Sequence, residues 1–503
     1  MSQTASMAIG LSASADADAL ANLARKALEE GEEEQALPVL ESAVVKSPSS
    51  GVWQWKALLE RSLDEHEAAI HSFEKAARLA PADISIAHGH ARTAMEAGLD
   101  ARPLYECALN LAPNNGQIMV GMAAARASMG DGARAIADLQ SALRRAPAWL
   151  YGHEQLAQLM ATEGRPGEAT SSLEEALTRF PNAQPLWETL LNVQLRRGAY
   201  ESLKSIVERA KTAGVISPEF AIYEGIHAAE FDEAVLPSAL FGPAPEHVDQ
   251  ALGRWRVRHL LRVGATDALL PLIDRELQRD QTAELWAYAA TAWRMAGDAR
   301  SEWLEGDDRL VAVVDLSAAL PPIDELADTL RALHVAKGEY LDQSVRGGTQ
   351  TDGPLLSRID PVIRHLRRAI VGAVRQHAAQ LPAIDPGHPM LRQKRDRRVR
   401  FSGSWSVRLR SGGHHSNHVH PLGWMSSALY VSLPQRSPEE RDDSGWFTLG
   451  EPDEKLGLDV PPWRKIEPKT ARLVLFPSWM WHGTVPFEEG ERLTVAFDVA
   501  PPV

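Results

Sequence analysis

Proline recurs at nearly equal intervals through the first part of this sequence. It stands at Pro48, Pro81, Pro113, Pro147 and Pro181, so that the intervals are 33, 32, 34 and 34 residues. Each proline ends a similar phrase, such as "FEKAARLAP" and "YECALNLAP". Between prolines, two amphipathic stretches flank a turn that contains glycine. This period predicts stacked helical pairs, because one pair can bury its apolar face only against its neighbours.

The pattern resembles the tetratricopeptide repeat over about residues 18–215, and weaker helical pairs continue to about residue 305. We therefore expect a helical solenoid at 18–305, after a disordered tail at 1–17. Such an array can be purely structural. It can also offer a concave groove to a protein or peptide, and this is the partner that we expect. The sequence leaves the oligomeric state open.

Charge and cysteine content restrict the other partners. The formal net charge of −14 argues against a nucleic-acid partner, which needs a basic surface. The basic run at 392–400 is interpreted as a solvated approach to the first strand, although it could line a route for an acidic substrate. The single cysteine, Cys107, fits a reducing compartment. The sequence lacks a signal peptide and a span of ~18 apolar residues, so we expect a cytoplasmic protein without membrane contact.

The C-terminal part alternates apolar and polar residues as short antiparallel strands do. We expect a linker and a helix at 306–339, then a β-sandwich or small barrel at 340–503. The strand at 492–499 illustrates the alternation, with one face formed by Leu493, Val495, Phe497 and Val499 and the other by Arg492, Thr494, Ala496 and Asp498.

Three histidines form a candidate metal site. In an extended strand, alternate side chains point the same way, so His418 and His420 can converge on one point. His482 follows about sixty residues later, after the aromatic run "FPSWMW". A histidine pair two residues apart with a distal third is a chelating arrangement. His414 and His415 are instead expected to be loop residues or hydrogen-bond donors.

The segments "NHVHPLGWMSSALYVSLP", "GWFTLGEP" and "IEPKTARLVLFPSWMWHGTVPFEEGERLTVAFDV" resemble the iron(II)- and 2-oxoglutarate-dependent oxygenases. More narrowly, they resemble a bacterial branch that carries tetratricopeptide repeats ahead of the catalytic domain. The resemblance implies a double-stranded β-helix with flanking helices, which would make the chain a multidomain α + β protein. It also implies iron(II), 2-oxoglutarate and dioxygen as cofactor and cosubstrates.

The resemblance assigns the first iron ligand to His418 and the last to His482. His420 stands where the family has a carboxylate, which is a departure from its pattern. Either His420 completes a three-histidine site, or a carboxylate comes from elsewhere, for which Glu451 is the candidate. The spacing favours His420.

The family also places an arginine on the strand after the distal histidine, where it binds the far carboxylate of 2-oxoglutarate. Arg492 fits that position, and Thr494 fits the hydroxyl partner two residues on. Tyr430 could supply a phenolic donor. Of the tryptophans near these segments, Trp424 and Trp481 could line the substrate pocket.

The predicted function is therefore a 2-oxoglutarate-dependent dioxygenase that hydroxylates a substrate, with the repeats recruiting a protein or peptide. A small-molecule substrate stays open. Two alternatives remain, namely a cupin-type metalloenzyme and a non-catalytic repeat scaffold with a degenerate barrel. The cupin alternative lacks the expected glutamate after the histidine pair, and it leaves Arg492 without a role.

Overall fold

The computed structural model describes residues 3–10, 16–435 and 439–502. A helical N-terminal part is followed by a part built on two antiparallel sheets. Among the described residues, no helix combines the length and the apolar character needed to span a bilayer.

The helical part consists of helices joined by short turns. Their bounds are α1 Gln3–Gly10, α2 Ala17–Glu30, α3 Glu33–Lys46, α4 Ser50–Ser62, α5 His66–Leu79, α6 Ile84–Glu96, α7 Arg102–Leu111, α8 Gly116–Ser128, α9 Gly132–Arg145, α10 Leu150–Thr162, α11 Ser171–Arg179, α12 Gln184–Arg196, α13 Tyr200–Thr212, α14 Phe220–Phe231, α15 Ser238–Phe241, α16 Glu246–Arg262, α17 Thr266–Arg279, α18 Ala283–Ala296 and α19 Arg300–Glu305. The expected helical repeats are present.

Two local signals set the repeat. Each of the five periodic prolines follows the end of a helix by two residues, where its ring cannot continue the helix. The turn inside each pair needs a left-handed residue, and Gly98, Gly130, Gly164 and Gly198 supply it with φ between 68° and 81°. Asp64, with φ 60°, holds the same position one repeat earlier.

The first residues differ from the disordered tail predicted at 1–17. Residues 3–10 form α1, because this segment packs against the first helices of the repeats. The backbone N–H of Thr4 donates to Glu30 at 3.0 Å, and Met7 packs against the core of the first helices. Residues 1–2 and 11–15, which also fall under that prediction, lie outside the described residues.

The strands form a larger sheet in the order β1-β7-β4-β9-β3-β2 and a smaller one in the order β6-β5-β8. Their bounds are β1 Ala312–Asp315, β2 Val345–Gln350, β3 Phe401–His415, β4 Met425–Ser432, β5 Phe447–Leu449, β6 Arg464–Ile466, β7 Arg472–Pro477, β8 His482–Thr484 and β9 Arg492–Val499. Helices α20 Ile323–Leu333 and α21 Pro361–Gln380 accompany them. On β9, the four apolar residues join the main core and leave the other face to the space between the sheets.

The segment predicted as a linker and helix at 306–339 belongs partly to this sheet. Ala312–Asp315 pairs antiparallel with β7 and forms the edge strand β1. Leu326 and Leu330 of α20 are buried in the core that also holds the apolar face of β9. The sheet unit therefore begins some thirty residues before the predicted boundary at 340, since β1 needs a partner that lies far along the chain.

The helical part and the sheet part are in extensive contact. The indole N–H of Trp481 donates to the carbonyl oxygen of Ala287 on α18 at 3.2 Å. At the turns inside the helical pairs, the carbonyl oxygen of Ala97 accepts from Ile359 N–H at 3.1 Å, and that of Thr162 accepts from Lys337 N–H at 2.8 Å. The repeats are thus fastened along the C-terminal part of the chain.

Candidate metal centre

The strand pairing brings the three predicted histidines together. His418 and His420 lie on the extended segment between β3 and β4, and His482 begins β8. His418 and His482 form an isolated antiparallel bridge, with each backbone N–H 3.0 Å from the carbonyl oxygen of the other. One ring nitrogen from each of the three histidines lies within 4.8 Å of the other two.

A hydrogen bond at Nδ1 orients each of the three rings. Nδ1 of His418 lies 2.8 Å from the carbonyl oxygen of Ser416, and Nδ1 of His482 lies 3.0 Å from that of Met480. Because a carbonyl oxygen only accepts, each Nδ1 must carry the proton. Nε2 then keeps its lone pair and is free to bind a cation.

Burial favours the neutral form of His418 and His482. Burial lowers the pKa of His418 and His482 well below the ordinary value, and the neighbouring imidazoles lower it further. Nε2 of His418 lies only 3.0 Å from Nε2 of His420. Imidazole nitrogens that lie this close together suit a shared divalent cation, so the donor set fits a first-row metal.

Asp498 holds the third ring, and the sequence analysis missed this role. Its Oδ1 accepts from Nδ1 of His420 at 2.6 Å and from the hydroxyl of Ser426 at 2.6 Å. Asp498 is 7% exposed, so this carboxylate lies inside the protein. The signal was available, because the alternation of β9 puts Asp498 on the same face as Arg492 and Thr494.

The alternative carboxylate, Glu451, does not join the cluster. Within the ranges that the structure describes, the set of groups close enough to share a metal ion consists of the three histidines alone. A carboxylate is nevertheless present behind the histidines. Asp498 accepts a hydrogen bond from His420, the residue that stands where the family has its acidic ligand.

Arg492 and Thr494 line the same cavity as the histidines. Arg492 is 3% exposed, and its Nη1 donates to the carbonyl oxygen of Gly445 at 2.6 Å. Its Nε is buried and has no hydrogen-bond partner. Burial lowers the pKa of Arg492 below its ordinary value, although an arginine stays charged. The cavity thus contains one fixed cation with donors to spare.

Tyr430 supports Arg492 from behind. The guanidinium carbon lies 5.0 Å from the centroid of the Tyr430 ring, within cation–π range. The phenol is fully buried without a hydrogen-bond partner, and burial raises its pKa. Tyr430 does not line the cavity, so its contact with a ligand would pass through Arg492.

Further residues complete the cavity wall. Ser344, just before β2, places its hydroxyl 3.0 Å from Nε2 of His418 and 3.2 Å from Nδ1 of His415. His415 is part of β3 rather than a loop, and burial lowers its pKa to about 3. The amide oxygen of Gln350 is buried without a partner, and the ring of Trp405 lies 5.5 Å from that of His420.

Trp424 and Trp481 have a different role from the predicted one. The indole of Trp424 donates to the carbonyl oxygen of Met390 at 3.0 Å, and Trp481 reaches α18 of the repeats. Neither lines the cavity, and both belong to the main core. Trp481 directly precedes His482, and adjacent residues of an extended segment face opposite ways, so closeness in sequence to a ligand did not place it in the cavity.

Comparisons with known proteins agree with this division. Residues 403–498 match the family model described as "Putative 2OG-Fe(II) oxygenase", and residues 50–83 match that of the tetratricopeptide repeat. No curated protein matches the chain.

Several solved structures are similar to part of this chain. MamA 41-end from Desulfovibrio magneticus RS-1 is 16% identical, and the match covers 33% of this chain and 97% of that one with a TM-score of 0.29. A thermophilic tetratricopeptide repeat protein of Thermus thermophilus is 18% identical over 36% and 100%, with a TM-score of 0.28. A tetratricopeptide repeat protein from Parabacteroides merdae ATCC 43184 is 16% identical over 47% and 97%, with a TM-score of 0.30. The resemblance predicted from the sequence is thus confirmed: the chain joins tetratricopeptide repeats to a C-terminal domain that matches the 2-oxoglutarate and iron(II) oxygenase family.

Proposed function

We propose that the C-terminal part is an iron(II)- and 2-oxoglutarate-dependent dioxygenase that hydroxylates its substrate, with His418, His420 and His482 as the iron ligands. The observation that carries the proposal is the convergence of three ring nitrogens in a cavity that also holds a buried arginine. Iron(II) would supply the activation of dioxygen, with 2-oxoglutarate oxidised to succinate and carbon dioxide while a substrate C–H bond is hydroxylated.

The order of the strands supports a double-stranded β-helix. From β3 onward the chain crosses from the larger sheet to the His418 bridge beside the smaller sheet, and returns to the larger sheet in β4. It then passes through β5 and β6, returns in β7, crosses to β8 and ends in β9. Repeated crossing between two sheets is the path of a jelly roll, and it puts the cavity between them.

The residues of this chain have distinct tasks in the proposal. Arg492 binds the far carboxylate of 2-oxoglutarate, because its guanidinium fork matches two carboxylate oxygens and its Nε has a donor to spare. Thr494 offers a hydroxyl on the same strand face. Asp498 holds the His420 ring with Nε2 directed at the other histidines. Trp405 packs against that ring and keeps water from one side of it.

Charge distinguishes this proposed site from the family pattern. Three neutral imidazoles leave the divalent charge of the cation uncompensated by its direct ligands. The carboxylate of Asp498 supplies one negative charge through the ring of His420. A carboxylate behind a histidine makes the ring a stronger donor and fixes its orientation. The pair of His420 and Asp498 would therefore take over the task of the missing acidic ligand.

We further propose a protein or peptide as the substrate, reaching the cavity through a groove beside the repeats. The groove has a volume of about 810 Å³ and runs between the turns at Gly164 and Gly198 and the segment 338–343. Gln343 lines both the groove and the metal cavity, which supports a continuous path. A long path of this kind suits an extended peptide chain, whereas a compact metabolite would occupy only a small part of it.

Anaerobic titration with 2-oxoglutarate tests the proposal. Iron(II)-loaded protein should develop a weak visible absorption band when the cosubstrate binds, and admission of oxygen should release succinate. Arg492→Gln should bind iron but lose the band, whereas His482→Ala should bind no iron. Iron binding without any band would favour the cupin alternative, and absence of iron binding would favour the repeat scaffold.

A further inference from the structure

The C-terminal part carries a second cleft, which is lined mainly by arginines and is separate from the metal cavity. One wall is α21, where Arg364, Arg368 and Arg375 recur at helical spacing and so share a face. Gly372 lies on the same face, and a Cβ added there would meet no atom within 4 Å. The cleft is therefore open to a ligand, and its volume is about 800 Å³.

The opposite wall is the basic run of the sequence. Arg395, Arg397 and Arg398 line it, and the acidic residues in the lining are Glu34 and Asp396. Arginines therefore outnumber carboxylates in this lining, in a chain whose formal net charge is −14, and three of them (Arg368, Arg375 and Arg395) are not paired with a carboxylate of the first repeats. The walls of a concave site concentrate the electric field of its charges. A positive field of this kind raises the local concentration of anions.

Ion pairs with the first repeats engage four of the lining arginines. Arg367 lies 3.1 Å from Asp64, and Arg397 lies 2.8 Å from Glu32. Arg364 lies 2.9 Å from Glu67, and Arg398 lies 2.7 Å from Glu65. These pairs fasten the cleft to the turns between α2 and α3 and between α4 and α5. They also explain part of the basic run, which the sequence predicted to be a solvated approach to a strand.

Within the part of the chain that the structure describes, two exposed lining arginines have no ion-pair partner, and three others keep one unused donor each. Among the described residues, Arg368 and Arg375 are exposed and neither has a carboxylate at ion-pair distance. The Nε atoms of Arg367, Arg395 and Arg397 are buried and donate no hydrogen bond. A buried N–H without an acceptor is costly, so an incoming oxyanion would gain from satisfying it.

We propose that this arginine cleft binds a compact anion with several phosphate groups. The planar guanidinium fork matches the oxygens of a phosphate, and neighbouring arginines would engage successive phosphates. The lining has no aromatic side chain on which a base could stack, and the strongly negative remainder of the chain opposes a long polyanion. These features favour a small polyphosphate over a nucleic-acid strand. The proposal does not depend on the oxygenase function.

Calorimetric titration of the iron-free full chain with inorganic tripolyphosphate tests the proposal. The double variant R368Q/R375Q removes the two unpaired, exposed guanidinium groups without opening an ion pair. It should weaken binding by about tenfold or more, because two charge-assisted hydrogen-bonding groups are lost. The control R144Q/R145Q removes the same charge from exposed positions on α9 and should leave the affinity unchanged.

Three results would overturn the proposal. The first is no binding of tripolyphosphate at an ionic strength of about 0.1 M, where unspecific attraction is screened. The second is an equal loss of affinity in R368Q/R375Q and R144Q/R145Q, which would reduce the effect to net charge. The third is tighter binding of a single-stranded RNA of about ten nucleotides that is lost in R368Q/R375Q, which would make the cleft a nucleic-acid site.

Discussion

Asp498 accepts a 2.6 Å hydrogen bond from Nδ1 of His420. This contact places a carboxylate directly behind one ligand of the proposed three-histidine site. Asp498→Asn keeps the shape of the side chain but removes its charge, so the ring becomes a weaker donor. We expect the affinity for iron(II) to fall by about 10- to 100-fold, as measured by anaerobic competition with a chelator. Asp324→Asn, an exposed change on α20, is the control, and equal affinities in both variants would contradict the role.

The identity of the middle ligand can be tested directly. His420→Ala should abolish iron(II) binding, because it removes one of three converging nitrogens. Glu451→Gln should leave it intact, since Glu451 is not part of the cluster. Iron content after anaerobic loading and desalting measures both. The opposite pattern would assign the ligand to Glu451 and leave His420 as a positioning residue.

Arg492 should act on the cosubstrate and not on the metal. Arg492→Lys keeps the charge but loses the fork, so we expect 2-oxoglutarate affinity to fall by roughly a hundredfold at unchanged iron affinity. The visible titration gives the first quantity and chelator competition the second. Arg410→Gln, an exposed change on β3, should alter neither. Loss of iron in Arg492→Lys would argue for a structural role.

Glu305 should make stability depend on pH. Burial raises the pKa of this carboxyl from 4.5 to about 7. Between these values the folded chain holds a proton that the unfolded chain releases, so stability falls as the pH rises and the loss is complete above about 7. Glu305→Gln should raise the free energy of unfolding at about pH 8 by on the order of 2–3 kcal/mol and change little near pH 4.5.

Denaturant unfolding at both pH values measures this difference. Glu302→Gln is the matched control, because Glu302 is exposed on the same helix. A gain from Glu305→Gln that is the same at both pH values would point to packing instead of ionisation.

Arg400 should fasten the first repeat. Its Nη1 lies 3.0 Å from Glu33, whose side chain is only 2% exposed. Arg400→Ala would leave that carboxylate buried without its cation, at a cost of about 3 kcal/mol. Hydrogen exchange in α2 and α3 should then accelerate. Arg364→Ala breaks an exposed pair with Glu67 and should cost less than about 1 kcal/mol.

Periodic features could be predicted from the sequence. The prolines and glycines of the repeats act through local backbone geometry, so their spacing identifies the helical pairs. The alternation along 492–499 matches β9, because one of its faces is buried against the main core. The same alternation predicted that His418 and His420 converge, and the bridge between His418 and His482 brings the third ring to them.

Contacts between distant segments could not be predicted in this way. The strand β1 has four residues and forms only because β7 pairs with it. Trp481 turns toward α18 because a carbonyl oxygen of the repeats accepts from its indole. The bond from His420 to Asp498 spans 78 residues, so the alternation of β9 predicts the face on which Asp498 lies but not its partner. Such partners are set by tertiary packing, which leaves no period in the sequence.

The fastening of the repeats to the sheets has a consequence for how the chain folds. Contacts within the helical pairs are local, and they form quickly because little loop entropy is lost. The contact between Glu33 and Arg400 closes a loop of 367 residues. We therefore expect the helices to stack first and the two halves to dock last. Until docking occurs, the acidic turns of the first repeats and the arginines that pair with them remain exposed to other chains, so docking is the step most open to mispairing.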